Sequence, residues 1–364
     1  MVIDGSYGEG GGQVLRSTLT LATLTGRTVR VERIRAGRRN PGLRHQHLTA
    51  ARAAAAVCGA RLEGDELGSH TLSFTPDGPA RPGDYTFDVS EAAQGGSAGS
   101  VGLVLQTVLL PLVLVEGESR LTLRGGTHVR WAPSVFYLEH VFLPVLARMG
   151  VRAQIKLERW GFYPAGGGEA QVRIIGRGKA LSPIKLVERG ELQRVEGTAA
   201  VTNLPAHIPQ RMADHAINTL AQKGIRSRVE PRRLRGAGPG AGIFLFAEYA
   251  TSSPRETIAA GFTAYGRKGL PAERVAEAVC EDLLKHHCSG APVDPYLVDQ
   301  LVLPMALAAT DRPRPIESWA ITSQVSQHLL TNLWVARQFL TCELEVEGEV
   351  GRPGVLRMGK GEHD

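Results

Sequence analysis

Apolar residues at helical spacing recur along this chain behind polar, glycine-containing turns. Residues 4–26, DGSYGEGGGQVLRSTLTLATLTG, run from a short strand through a glycine-rich turn into a helix whose Leu15, Leu19 and Ala22 share a face and which ends at Gly26. Residues 88–117 repeat the plan, with DVSEAAQGGSAGS ahead of the helix VGLVLQTVLLPLVLVEG. Each helix leads into alternating strand text, TVRVERI in one case and SRLTLRGG in the other. A second helix follows each strand, Leu43 to Cys58 stopped at Gly59, and Val135 to Met149 stopped at Gly150. Further strand text closes both units, RLEGDE with HTLSFTP and RAQIKLERWGF with EAQVRII, so the pattern predicts two βαβαββ repeats.

A third, shorter echo lies near the C-terminus, where a polar linker precedes helix Leu329 to Leu340 and the strand CELEVEGEV. Residues from about 188 to 290 follow their own order: strand VEGTAAV, helix Gln210 to Gln222 capped by Gly224, strand IFLFAEY, and helix Ala272 to His287. The run RRLRGAGPGAG between them reads as a loop by composition. These patterns predict an α+β protein with a main domain over 1–187 and 291–364 (repeats at approximately 1–80, 81–187 and 291–364). Residues 188–290 are read as a smaller domain inserted in the third repeat.

Composition narrows the class. A chain of 364 residues exceeds what one core usually serves, and 43% hydrophobic with 21% charged residues is ordinary for a soluble globular protein. The longest apolar run, Val101 to Val115, is shorter than a bilayer span and is interrupted by Gln106 and Pro111, so no membrane segment is expected. The N-terminal MVIDGSYGEG lacks the basic and apolar regions of a secretory signal, and a cytoplasmic location is expected. Cys58, Cys280, Cys288 and Cys342 lie far apart without a CxxC pair, so neither a disulfide framework nor a zinc site is predicted. His286, His287 and Cys288 read as helix-end chemistry before Ser289 and Gly290. A net charge of +6 favours a polyanionic partner, although the 35 arginines against 7 lysines also fit GC-rich coding.

Several constellations carry candidate chemistry, each with a plainer alternative. GEGGG, Gly8 to Gly12, ahead of Gln13 and Arg16 suits a phosphate at a helix start, and also a simple tight turn. Glu9 within it makes sense if it holds a divalent cation that touches phosphate; a solvated loop acid is the alternative. In RIRAGRRNPGLRHQHL, Arg35 and Arg38 flank Ala-Gly, which permits two guanidinium groups to face one anion. Gln46 and His47 follow on a helix, where His47 shares a stripe with Leu43, Ala50 and Ala54 and fits a satisfied core histidine equally well. Gln106, on an apolar helix, is either locked to protein groups or aimed at a ligand. Tyr296, Asp299 and Gln300 in YLVDQLVLP offer stacking and hydrogen bonds to a purine, or merely cap a helix. His328, in the first turn of a helix capped by Ser326, would be held neutral by the helix dipole and so be a nucleophile beside a phosphate; a polar residue fraying a helix start is the alternative.

Together these segments resemble the RNA 3′-terminal phosphate cyclase family over nearly the whole chain. The carrying motifs, in family order, are DGSYGEGGGQVLRS, RAGRRNPGLRHQHL, GSAGSVGLVLQTVLLP, GGTHVRWAP, GFYPAGGG, YLVDQLVLPMALA and HLLTNLWVARQFL. The resemblance implies three βαβαββ repeats with a related domain inserted in the third. It also implies ATP as a substrate, a divalent metal (Mg²⁺ or Mn²⁺), and RNA 3′-phosphate ends as partners. It gives His328 as the nucleophile toward the α-phosphate of ATP, and Gln106, Pro133 and Tyr296, Leu297, Val298, Asp299 and Gln300 as the nucleotide pocket. Glu9 matches the metal-holding acid, and Arg16, Arg35, Arg38, Gln46 and His47 match polar positions around the phosphates and the RNA end, with Arg35 and Arg38 assigned more to the RNA than to ATP.

The implied reaction joins AMP to the histidine, passes it to the RNA 3′-phosphate, and closes a 2′,3′-cyclic phosphate, releasing AMP and pyrophosphate, an activity suited to RNA processing and repair. Two features depart from the family pattern: a long connector from Ala308 to Val325, and Arg130 with Trp131 ahead of Ala132 and Pro133. Cyclase-like proteins of ribosome assembly lack the histidine that HLLTN supplies here. Enolpyruvyl transferases, with related repeats, need lysines that are absent near these motifs. A plain RNA-binding module would explain the charge but not Glu9 together with His328.

Overall fold

Proline and glycine placement accounts for much of how the helices end and dock. The computed structural model describes residues 1–91, 97–253, 256–310 and 317–359. The first unit comprises β1 (Val2–Asp4), α1 (Gly12–Thr25), β2 (Val29–Glu32), α2 (His45–Cys58), β3 (Arg61–Glu63) and β4 (Leu72–Thr75). Gly26 and Gly59 end its helices in the left-handed conformation, φ 66° and 70°, at no Cβ cost. Helix α2 starts at His45 and not at Leu43 as the periodicity suggested. Leu43 is instead tied to a neighbouring loop: its N–H donates to Ser69 O (2.9 Å) and its carbonyl accepts from Gly68 N–H (2.8 Å). Its burial comes from that bridge.

The second unit comprises β5 (Asp84–Asp88), α3 (Val101–Val113), β6 (Glu116–Gly125), α4 (Val135–Tyr137), a π-helical turn (Leu138–Phe142), α5 (Leu143–Arg148), β7 (Arg152–Arg159) and β8 (Gly168–Arg177). The sequence pattern gave one helix from Val135 to Met149. Pro144 has no N–H for the carbonyl of His140, and the ladder shifts register just ahead of it. Pro111 does comparable work in α3. It leaves the Thr107 carbonyl without its helical donor, and the Thr20 hydroxyl of α1 donates to that oxygen instead (2.9 Å). One proline thereby helps to lock α1 onto α3.

Next come β9 (Lys185–Leu186), β10 (Leu192–Thr202), α6 (His207–Ala221), β11 (Ser227–Leu234), β12 (Gly240–Ala250), β13 (Thr257–Tyr265) and α7 (Ala272–Ser289). The chain finishes with α8 (Pro295–Thr310), β14 (Ser318–Thr322), α9 (Gln327–Phe339), β15 (Glu343–Glu347) and β16 (Gly354–Gly359). Part of the long connector, residues 311–316, lies outside the described residues. The RRLRGAGPGAG run is mostly strand, not loop: Arg232–Leu234 closes β11, Gly240–Gly242 opens β12, and only 235–239 turns. β11 is an edge strand paired to β10 alone, so its arginines face solvent and its composition looks like a loop. The arrangement of helices and strands is α+β.

Among the described residues four four-stranded sheets result, ordered β1-β2-β4-β3, β5-β6-β8-β7, β9-β14-β16-β15 and β11-β10-β12-β13. In all four, the outer first strand pairs parallel to the next and the rest pair antiparallel, and the first three also share one chain order, first-second-fourth-third. The third sheet draws β9 from before the 188–290 segment and its other strands from after it. Among the described residues no helix is long and apolar enough to cross a membrane. At the end of α7, Arg189 donates to the carbonyls of His286 and His287, and the histidine cluster there terminates a helix.

Candidate active site

Three helix starts converge on one cluster of polar side chains. Helix α1 is preceded by Gly11, which has no side chain to cap it, and has no acid in its first turn, leaving its first N–H groups and positive dipole end suited to an anion. The glycines there make room for side chains: a Cβ on Gly12 would lie 2.1 Å from His47 Nε2, and one on Gly11 would lie 2.9 Å from Arg38 Nη2. His47 is 4% exposed, with Nδ1 accepting from the Arg44 N–H (3.2 Å). Burial, with Arg16, Arg35 and Arg44 nearby, holds its pKa well below the usual histidine range, so it is neutral.

Arg16 is 8% exposed and donates to Gln13 Oε1 (2.6 Å), while its buried Nε has no partner. Burial holds its pKa down to about 10. A buried guanidinium served only by a neutral amide is a standing demand for an anion.

The second start is α9. Ser326 accepts from the Leu329 N–H (2.9 Å) and its hydroxyl donates to Asp299 on α8. One turn on, Asn332 Nδ2 donates to the Asp299 carbonyl (2.8 Å), and its Oδ1 accepts from Gln13 Nε2 (2.8 Å) and Ser17 Oγ (2.6 Å) of α1. This network fixes α9 against α1 and α8 and so sets where His328 stands. A Cβ on Gly8 (φ 62°) would lie 2.5 Å from Thr331 Oγ1, so the glycine lets the loop press on α9. Glu9 is thereby delivered to His328, with Oε2 to Nε2 at 3.3 Å, and to Arg38 at 2.9 Å. Tyr7 stacks on Trp334 at 4.0 Å alongside.

The third start is α8, held by Asp294. This fully buried carboxylate accepts from the Tyr296 and Leu297 N–H groups (2.8 and 2.9 Å), the Tyr137 hydroxyl (2.9 Å) and the Gly261 N–H (3.2 Å). Burial raises its pKa to about 6 against those donors. Tyr296 is left half-exposed on the first turn, while Gln300 Oε1 accepts from Gln106 Nε2 (2.6 Å). Leu297 and Val298 are fully buried in the core, so only their backbone can border a nucleotide. Burial likewise pushes Asp299 up to about 8, opposed by the Ser326 hydrogen bond.

The structure thus gathers Glu9, Arg16, Arg38, His47 and His328 around the starts of α1 and α9, and pairs Gln106 with Gln300. Arg35 and Arg38 do not act as twins here. Arg38 turns to Glu9, whereas Arg35 (φ 55°) donates to the carbonyls of Asn40 (2.7 Å) and Gly42 (2.9 Å) and holds its own loop. Gln46 Oε1 accepts from the Ser100 N–H (3.1 Å), joining α2 to the start of α3, and Pro133 packs on Gly102. The polar ties through Ser17, Ser326 and Asn332 escaped the reading of the sequence, although Asn332 one turn beyond His328 was a visible signal.

Burial lowers the pKa of His328; Glu9 opposes this, and Arg16 and Arg38 add to it. A lowered pKa keeps the imidazole neutral at and somewhat below pH 6.5, its ordinary value. As pH is lowered from about 8, any reaction led by this nitrogen is therefore expected to fall to half its rate at a more acid pH than an ordinary histidine would allow. Single-turnover rates measured as the pH is lowered check this; a half-rate at or above the ordinary value of 6.5 would contradict it.

Among the described residues no group of three or more His, Cys, Asp or Glu is set to hold a metal. Glu9 is a single part-exposed carboxylate beside an anion-suited helix start, a donor set that fits a Mg²⁺-like ion sharing its shell with substrate phosphate oxygens.

Fold and site together define the class: an α+β protein that gathers a histidine, a carboxylate and arginines at the starts of two helices. A family model described as RNA 3′-terminal phosphate cyclase matches residues 7–346. Curated relatives named RNA 3′-terminal phosphate cyclase include one from Nostoc punctiforme, 54% identical over 344 residues, covering 94% of this chain and 95% of the relative. One from Methylococcus capsulatus is 52% identical over 356 residues, 98% and 95% of the two chains, and one from Salmonella agona is 41% identical over 348 residues, 95% and 94%. The chain belongs to the RNA 3′-terminal phosphate cyclase family, a family of enzymes. A solved structure of the enolpyruvyl transferase NikO from Streptomyces tendae aligns with 95% of this chain and 46% of its own at 12% identity and a TM-score of 0.36, too slight a likeness to bear on fold or function.

Proposed function

We propose that this protein uses ATP to convert an RNA 3′-terminal phosphate into a 2′,3′-cyclic phosphate. The observation that carries the reading is His328, neutral and half-exposed, standing 3.3 Å from Glu9 and flanked by Arg38 and the unpaired Arg16, in a chain of this family. His328 Nε2 attacks the α-phosphorus of ATP and expels pyrophosphate, forming a phosphoramidate. An oxygen of the RNA 3′-phosphate then displaces the imidazole, a good leaving group once protonated, and gives RNA-3′-pp-5′-A. The 2′-oxygen attacks the 3′-phosphorus, its proton is lost, and AMP departs. Activation is needed because the oxygen of an unmodified phosphate monoester is a poor leaving group.

Arg16 and the N–H groups at the start of α1 neutralise phosphate charge. Arg38, turned toward Glu9 and His328, serves the first step, and Arg35 shapes the loop that borders the RNA end. Tyr296, Gln106 and Gln300 offer a face and amides to the adenine. Glu9 would hold a divalent Mg²⁺ or Mn²⁺, which supplies charge neutralisation at the phosphates. The shared strand order of the first three sheets, and the third sheet's strands lying on both sides of residues 188–290, support three βαβαββ repeats with one inserted domain.

The test uses ATP labelled at the α-phosphate and an RNA oligonucleotide ending in a 3′-phosphate. The enzyme is expected to take up acid-labile, alkali-stable label, and the RNA end to become resistant to phosphatase, whereas RNA ending in a 3′-hydroxyl is not cyclised. Folded protein that takes no label and leaves the end phosphatase-sensitive would refute the reading. Glu9→Ala is expected to slow labelling and shift its metal titration to higher concentration; an unchanged titration curve would return Glu9 to an ordinary loop acid.

A further inference from the structure

Trp131 is 94% exposed and Tyr163 is 75% exposed, the two most solvent-facing large apolar side chains described. Exposed apolar residues are common singly, but these two leave one joined pair of loops. The N–H groups of Thr127 and His128 donate to the Gly161 carbonyl (3.0 and 3.1 Å), and the His128 ring stacks on Trp160 at 4.1 Å. Trp131 adopts φ 59°, a left-handed conformation that a bulky residue rarely takes. Two residues on, Pro133 packs against Gly102. The backbone therefore turns the indole outward while the loop stays anchored.

The surroundings are cationic. Arg130 donates to the Tyr265 carbonyl (2.9 Å), where β13 leads into Arg267 and Lys268. Cβ atoms placed on Gly167 and Gly238 would lie 2.5 Å from Ala237 and 2.7 Å from Ala165, so the turn that follows Arg235 sits on the Tyr163 loop. None of the contributing segments, 127–138, 160–168, 233–247 and 257–272, contains an Asp or Glu. By contrast Arg124 and Arg159, just outside them, share Glu169.

This surface also adjoins the phosphate end of the site. A Cβ on Gly166 would meet Ser97 O at 2.4 Å, and one on Gly99 would meet Gln46 Cβ at 3.1 Å, one residue from His47. Exposed aromatic faces, an acid-free cationic rim and a short path to the phosphate cradle fit an unpaired nucleic-acid strand. Bases stack on such rings whatever their sequence, and arginines track the backbone.

We propose that Trp131 and Tyr163 form a stacking platform for nucleotides upstream of the last two before the terminal phosphate of a single-stranded RNA, with Arg130, Arg235, Arg267 and Lys268 taking its backbone phosphates. The proposal rests on the cyclase reading for its substrate but is testable without it. Binding of a fluorescent decauridylate ending in 3′-phosphate, followed by anisotropy, is expected to weaken steeply with salt. It is also expected to weaken roughly five- to a hundredfold in Trp131→Ala or Tyr163→Ala, the fold-change of one lost base stack. Trp131→Phe should retain most of the affinity. In cyclisation assays Tyr163→Ala should raise KM for the decamer while leaving KM for a dinucleotide 3′-phosphate, and the rate of enzyme adenylylation, unchanged.

Unchanged decamer binding in the Trp131→Ala/Tyr163→Ala double variant overturns the platform, as does an equal effect on decamer and dinucleotide. Failure of the wild-type protein to bind the decamer also overturns it and gives the surface to another partner. Absence of adenylylated wild-type enzyme overturns the cyclase reading alone, because the binding comparison still decides the platform.

Discussion

His328→Asn is expected to abolish covalent labelling by ATP while the protein keeps its thermal midpoint. The side chain is 46% exposed and its described ion-pair contact is with Glu9, so removing the ring opens no cavity. The start of α9 does not depend on it: Ser326 caps the helix, Asp299 holds Ser326, and Asn332 ties the next turn to Gln13 and Ser17. Asparagine keeps a polar group of similar reach toward Glu9 but has no nucleophilic nitrogen with a free pair, since its amide nitrogen is conjugated. Loss of label should therefore be complete and not graded. Labelling with α-phosphate-labelled ATP, read beside a thermal melt, checks both halves; label retained by a folded variant would remove the central assignment.

Arg16→Met is expected to separate binding from stability in an unusual direction. Arg16 is nearly buried and meets no carboxylate among the described residues, so the protein without ligand carries a desolvated cation at the start of α1. Methionine fills much the same space and removes that charge, and the thermal midpoint without ligand should stay level or rise. Phosphate binding should suffer, because a hydrogen bond to a charged group contributes about 1.5–3 kcal/mol, roughly ten- to a hundredfold in affinity or rate. The shift in midpoint on adding ATP should shrink accordingly, since a tenfold weaker site loses about 1.4 kcal/mol of ligand stabilisation at saturation. Melts with and without ATP, together with the adenylylation rate, decide it. A variant destabilised without ligand but fully stabilised by ATP would make Arg16 a structural residue.

What the sequence by itself determined is whatever is written in neighbouring residues. Apolar spacing located α1, α3 and α9 and the strands beside them, and left-handed glycines marked helix ends at Gly26 and Gly59, because periodicity and φ preference are local properties of the chain. Glu9, Arg16, Arg38 and His328 were also legible, as polar residues beside glycine turns or at the head of an apolar helix. Where local text failed, a distant partner had decided the outcome. Leu43 left its helix for Ser69, and the arginines of RRLRGAGPGAG joined a strand because β10 lay beside them. Tertiary structure alone decided the pairings: Arg38 with Glu9, Gln106 with Gln300 across 194 residues of chain, and Asn332 with α1 across 315 to 319. The contact that gives His328 its setting joins a turn near residue 9 to a helix near residue 328, and it forms only when α1, α8 and α9 have packed. Hydrogen bonds and charge act over a few ångströms of space, while a sequence records only distance along the chain.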